Sequence, residues 1–176
     1  MNINDKNYFE IFLLPESFDL DIEKLTAEYK KLQIQSHPDK FSDADDAARL
    51  KALQLSSLIN EAFSTLKSPL KRAAYLLSLR GIDPEEHNQK HLSEALLLQQ
   101  IDWRDQLENA SDEDDLQALD RLKQEVLNEH QACIDEFRTC VTTNKYKEAK
   151  PVYNKLQFIE KMLLEINRTE EKILDY

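Results

Sequence analysis

The sequence predicts an all-α protein, a helical amino-terminal half followed by a three-helix bundle, and three observations carry that prediction. Gly81 is the only glycine among 176 residues, whereas the tight hairpin turns of sheets usually need glycine. Long windows rich in Leu, Glu, Lys and Ala favour helix. Apolar residues recur at helical rather than alternating spacing. Hydrophobic residues make up 41% of the chain, enough for a core, yet no run approaches the roughly 18 apolar residues of a membrane span. The first residues, Met1-Asn2-Ile3-Asn4-Asp5-Lys6, show neither a signal-peptide apolar core nor an Arg-rich transit pattern. A soluble protein that stays where it is made is expected.

Tyr8, Phe9, Phe12 and Leu13 form an apolar stretch closed by Pro15, enough for a first helix of about two turns. A second helix begins near Asp19 or Asp21, acids suited to a helix amino end. Its core stripe is Ile22, Leu25, Tyr29 and Leu32, and Lys24, Lys30 and Lys31 occupy other faces. Pro38 forces a break, because a proline disfavours the α region at the residue before it, so His37 ends that helix. Ser42 or Asp43 can cap a third helix, whose stripe is Ala48, Leu55, Ile59, Ala62 and Leu66 with Phe63 beside it. Ser68-Pro69 opens a fourth helix from Leu70 to Leu79, and Gly81 supplies the left-handed residue that ends it.

The polar stretch from Gly81 to His91 contains Pro84 and marks a domain boundary. The expected organisation is a domain over 1–80, a linker over 81–92 and a bundle over 93–176. The first bundle helix runs from about Ser93 to Ala110. The second starts at Ser111, where Ser-Asp-Glu-Asp resembles a capping box, and continues to about Val141. The third runs from about Lys145 to Leu174, with Pro151 breaking or kinking its first turns. Short connections imply antiparallel neighbours. Leu119, Leu122, Val126, Cys133 and Phe137 form the seam of the middle helix, and Val152, Leu156, Ile159, Leu163 and Ile166 that of the last. His130 falls on the first of these seams and is read as a satisfied core residue.

Charge is uneven. Residues 1–80 hold 12 acids and 11 bases, whereas 81–176 hold 22 acids and 12 bases, which argues against nucleic-acid or anionic-membrane binding. Cys133 and Cys140 lie about 10 Å apart along a helix, too far for a disulfide, and neither has a second cysteine nearby to make a zinc pair. They read as small buried hydrophobes.

Two features do not fit a core. Leu96, Trp103 and Leu107 share one face of the first bundle helix, while Leu97, Leu98 and Ile101 lie about 90° or more away. Asp102 and Asp105 border this second patch, like an interface rim. In the last helix Phe158 projects roughly opposite Leu156, Ile159 and Leu163, as an exposed aromatic. Periodicity alone leaves three readings open: a docking surface, packing against the amino-terminal half, or a dimer contact.

His37-Pro38-Asp39 also has three readings. As a catalytic base with its carboxylate, it lacks a nucleophile, an oxyanion-hole loop or a third ligand. As a plain turn, it needs no particular identity at all three positions. As an interaction corner beside Lys24, Lys30 and Lys31, it suits an acidic partner.

The His37-Pro38-Asp39 triplet between two helices, with Ile59-Asn60-Glu61-Ala62-Phe63-Ser64-Thr65-Leu66 and Arg72-Ala73-Ala74-Tyr75-Leu76 after it, resembles J-domains. These are the co-chaperone modules that stimulate ATP hydrolysis by DnaK-type chaperones. The chain has neither the glycine/phenylalanine-rich region nor the cysteine-rich repeats of DnaJ-type proteins. A J-domain ending Leu76-Leu77-Ser78-Leu79-Arg80-Gly81, then an acidic bundle ending Lys172-Ile173-Leu174-Asp175-Tyr176, resembles the HscB family of iron–sulfur cluster co-chaperones across essentially the whole chain. His37-Pro38-Asp39-Lys40-Phe41 also suits that family.

The resemblance implies an all-α fold, a J-domain of one antiparallel helical hairpin plus short helices followed by a three-helix bundle. It implies that His37, Pro38, Asp39, Lys24, Lys30 and Lys31 engage an HscA-type ATPase chaperone. It further implies that Leu97, Leu98, Ile101, Asp102, Asp105 and Phe158 bind the cluster scaffold IscU. Asn109 stands where the family tends to have an acid. No metal, cofactor or catalytic residue of its own is implied. Eukaryotic members often add a cysteine-rich zinc segment, which is not seen here, so a bacterial cytoplasmic co-chaperone is expected. A J-domain adaptor for a different client is the alternative. A monomer is expected, with dimerisation still open because an exposed apolar patch serves either purpose.

Overall fold

A computed structural model describes residues 6–36, 45–86 and 94–174. Among the described residues the order is α1 (Tyr8–Ile11), α2 (Ile22–Ser36), α3 (Asp46–Lys67), α4 (Pro69–Ser78), α5 (Glu94–Asp112), α6 (Leu116–Thr142) and α7 (Tyr146–Leu174), with no strand. The all-α expectation holds. None of these helices is long and apolar enough to cross a membrane. The chain divides into two compact units, Met1–Leu76 and Leu77–Tyr176.

In the first unit, α1 is a single turn rather than two. Asn7 and Glu10 close a reciprocal capping box, each side chain accepting the other's backbone N–H. Leu13 then turns left-handed at φ 54° and stands 72% exposed, so it does not join the core. The left-handed turn at Leu13, just after the Phe12 cap, ends the helix there.

Asp21 caps α2, its carboxylate accepting from the Lys24 N–H at 2.9 Å. Leu25 is buried, whereas Ile22, the first helical residue, stays largely exposed and drops out of the expected stripe. Tyr29 joins α2 to α3. Its ring stacks on Phe63 at 3.9 Å and its hydroxyl donates to Asn60 Oδ1 at 2.9 Å.

The described start of α3 is capped by Asp45, whose carboxylate accepts the Ala48 N–H at 2.7 Å. The expected caps Ser42 and Asp43 lie outside the described residues. Ala52, Ile59, Ala62 and Leu66 are buried at seven-, three- and four-residue steps, one face of a helix. Arg72 of α4 is buried and donates to the Leu66 carbonyl at 2.6 Å, so it satisfies a carbonyl at the end of α3. Tyr75 accepts the Tyr8 N–H at 2.9 Å and stacks on that ring.

α4 ends at Ser78, and Gly81 at φ 71° closes it, with Ile82 N–H donating to the Leu77 carbonyl at 3.1 Å. A Cβ at Gly81 would meet nothing within 4 Å. Backbone conformation rather than space therefore selects glycine there.

In the second unit, α6 and α7 run antiparallel, since Lys123 pairs with Glu170 and Glu129 with Lys155. Their core contains Leu119, Leu122, Val126, Cys133 and Phe137 against Val152, Leu156, Ile159, Met162 and Ile166. Met162 is buried where Leu163 was expected, and Leu163 is only half-buried.

Ser111 does not start α6 but lies in the last turn of α5. Asp114 turns left-handed, and Asp115 caps α6 through the Gln117 and Ala118 N–H groups at 2.9 and 3.0 Å. Two donors on one carboxylate, with Asp115 N–H closed onto the Ala110 carbonyl, place the turn there. Pro151 does not break α7, which runs uninterrupted to Leu174. Its ring sits in the second turn, so only one intrahelical bond near the amino end is lost. The segment after α4 is tied to α7 at two points: Lys150 Nζ donates to the Pro84 carbonyl, and the Arg80 guanidinium covers the Tyr146 ring.

Candidate functional site

Among the described residues, two exposed surfaces carry the residues singled out by the sequence, one in each unit. On the first, Lys24, Lys30 and Lys31 are all exposed on α2, while Leu25 and Tyr29 hold the other side of the helix to α3. Lys24 and Lys31 lie about 20° apart around the axis, so they form one short basic stripe with Lys30 beside it. Lys31 pairs with Glu28 at 2.6 Å. That pair is solvent-exposed and contributes little to stability. His37, Pro38 and Asp39 follow the last residue of α2 and fall outside the described residues.

On the second unit, α5 has two apolar faces. Trp103 and Ala110 are buried and Leu96 and Leu107 half-buried, whereas Leu97, Leu98 and Ile101 remain 44%, 61% and 57% exposed. Three large aliphatics within two turns of one helix form a patch rather than scattered exposure. Asp105 shares that face, and Asp102 stands at its edge, accepting from Gln106 Nε2 at 2.8 Å.

Phe158 corrects the expectation of a free aromatic. It is half-buried, and its ring lies parallel to that of Trp103, at 8° and 5.9 Å between centroids. The indole N–H donates to Glu125 Oε1 at 2.7 Å. Trp103 thus touches a side chain of α6 and another of α7. The sequence placed Trp103 in the core, but nothing in it linked that residue to Glu125. An acid on an amphipathic helix reads as solvated, and only the packing shows which acid meets the indole.

Cys133 and Cys140 are free and buried. Burial pushes the Cys133 thiol up to about 11, with Lys155 opposing, and raises that of Cys140 as well. Thiols held protonated are poor nucleophiles. His130 is not in the dry seam; it sits half-buried at the α6–α7 edge, its Nε2 3.7 Å from Glu160 Oε1.

Comparison with known proteins supplies the context for these surfaces. Residues 92–167 match the family described as HSCB C-terminal oligomerisation domain. A co-chaperone protein HscB homolog of Aeromonas hydrophila is 39% identical over 170 residues, spanning 96% of this chain and 99% of the relative. A homolog of the same name from Paraburkholderia phymatum is 38% identical over 172 residues, with 98% of each chain covered. Among solved structures, chaperone HscB from Vibrio cholerae superimposes with TM-score 0.86 at 34% identity, covering 96% of this chain and 99% of the other. Human co-chaperone protein HscB superimposes with TM-score 0.88 at 25% identity, covering 94% and 82%.

Proposed function

The chain belongs to the HscB family of co-chaperones, and we propose that it serves iron–sulfur cluster assembly in the bacterial cytoplasm by joining two partners. In this reading the outward face of α5 holds the cluster scaffold IscU. The segment His37-Pro38-Asp39, with Lys24, Lys30 and Lys31, stimulates the ATPase of an HscA-type chaperone. Hydrolysis takes place in that partner, which then grips the scaffold more tightly and promotes cluster transfer. The domain limits that go with this reading are a J-domain over 1–80, a linker over 81–92 and a scaffold-binding bundle over 93–176.

One observation supports the scaffold-binding part most. Leu97, Leu98 and Ile101 point away from a helix whose other face is already anchored by a fully buried Trp103. Their exposure therefore meets no folding need of the bundle. Asp102 and Asp105 at the border favour a partner whose apolar contact is flanked by basic groups. In this reading half-buried Phe158, stacked on the indole, also meets the scaffold.

Calorimetric titration of purified IscU-type scaffold into this chain tests the reading. The Leu97→Ala, Leu98→Ala, Ile101→Ala variant loses at least about tenfold in affinity, as expected when several centre residues of an interface are truncated. Unchanged affinity would leave the patch as an internal or self-association contact. Retention of another client with loss of the scaffold would favour the adaptor reading.

A further inference from the structure

Trp103 is the only tryptophan of the chain, and it is held by two different kinds of contact at once. Its N–H meets a carboxylate of α6, and its ring meets an aromatic of α7. We infer that Trp103, gripped by Glu125, is the positioning residue of the scaffold-docking face, setting both the roll of α5 and the plane of Phe158. This rests on the reading of α5 as the scaffold surface.

At 100° per residue, Leu97, Leu98 and Ile101 lie about 120°, 140° and 160° around the axis from Trp103. Any roll of α5 that hides the patch must therefore drag the indole out of its slot. The other inward residues hold the roll weakly: Leu96 and Leu107 are only half-buried, and Ala110 has no reach. A buried indole N–H needs an acceptor, and an oxygen of the otherwise exposed Glu125 side chain supplies it. A bond of 2.7 Å to Glu125 Oε1 fixes the indole in its own plane.

Phe158 follows from that plane. Parallel rings at 5.9 Å between centroids are laterally offset, the favoured stacked arrangement. With Trp103 against one side of its ring, half-buried Phe158 has a set orientation before any partner arrives. Preorganisation of this kind reduces the ordering cost of binding. A phenylalanine at position 103 would supply a ring but no N–H for Glu125.

The test uses the full chain and purified IscU-type scaffold, with the Leu97→Ala, Leu98→Ala, Ile101→Ala variant as reference. Glu125→Ala removes the acceptor and should weaken binding about three- to tenfold. Glu125→Gln keeps a carbonyl oxygen for the indole and should stay within about twofold of the parent. With fluorinated tryptophan the chain gives one fluorine resonance. It should shift on scaffold addition, and the free Glu125→Ala variant should show it broadened or displaced while circular dichroism stays native.

Loss of affinity in Glu125→Gln equal to that in Glu125→Ala would assign the effect to charge and overturn the inference. So would parent-like binding by Glu125→Ala, or a resonance indifferent to the scaffold, while the reference variant fails to bind. If the reference variant binds normally, the docking reading itself falls and takes this inference with it.

Discussion

The α2 surface of the first unit and the α5 surface of the second are both faces that a core leaves over, but they are built from opposite chemistry. α2 exposes Lys24, Lys30 and Lys31 around a helix held inward by Leu25 and Tyr29. α5 exposes Leu97, Leu98 and Ile101 with Asp102 and Asp105, around a helix held inward by Trp103. A basic stripe suits long-range, salt-sensitive capture, because exposed charges act over a Debye length of about 8–10 Å and are screened beyond it. An apolar patch acts only on contact, and its contribution follows the area removed from water. The contrast fits the proposed division of labour, in which α2 would meet a partner that must come and go and α5 would hold a cargo.

That division is breakable one side at a time, and the largest effect is expected at the residues that follow α2. His37→Gln should abolish stimulation of the HscA-type ATPase in a steady-state assay, with scaffold affinity by calorimetry unchanged. Full stimulation by this variant would remove His37 from the reading. On the other side, Leu97→Ala, Leu98→Ala and Ile101→Ala together should lower scaffold affinity at least about tenfold. They should leave the thermal midpoint nearly in place, because exposed side chains contribute little to folding.

Smaller effects sharpen the comparison. Replacing Lys24, Lys30 and Lys31 with Ala should raise the concentration of this chain giving half-maximal ATPase stimulation about three- to tenfold, and flatten its salt dependence. An unchanged salt profile would mean that the stripe is only solvated surface. Arg72→Met leaves the Leu66 carbonyl without its 2.6 Å donor. It should destabilise the first unit by about 1–3 kcal/mol, read as a lower urea midpoint. Burial already depresses the Arg72 pKa, against the pull of Asp19, which marks the cost of keeping a charge there.

The weakest expected effect is at Cys133. Burial raises its thiol to about 11, above the unfolded value of about 8.5. The stabilisation from the protonated thiol is full below about pH 8.5 and is lost as pH rises through about 11. Cys133→Ala should therefore flatten part of the alkaline decline in thermal midpoint. An identical decline in both proteins would show that the thiol does not contribute.

Much of the fold was legible because each helix face writes its own period. The stripes through Ile59, Ala62 and Leu66, and through Leu119, Leu122 and Val126, follow from spacing alone, and all six are buried. Ends were less legible. Ser111 and Asp115 both have capping chemistry, and only the closed turn on the Ala110 carbonyl selects Asp115. α1 stopped a turn early because Leu13 adopts a left-handed conformation that leucine composition does not announce. At the candidate surface, the two faces of α5 were readable as a conflict of period. Phe158 was misplaced as a free ring, because its partner lies 55 positions earlier in the chain, on another helix.

The measurement closest to the central claim is ATPase stimulation of the HscA-type chaperone with and without scaffold, for the parent chain and the Leu97→Ala, Leu98→Ala, Ile101→Ala variant. If the two surfaces act separately, the variant stimulates as well as the parent when scaffold is absent. It then fails to gain the further rise that scaffold gives the parent. A variant that keeps the whole scaffold-dependent rise, or that loses stimulation even without scaffold, would contradict the division between α2 and α5.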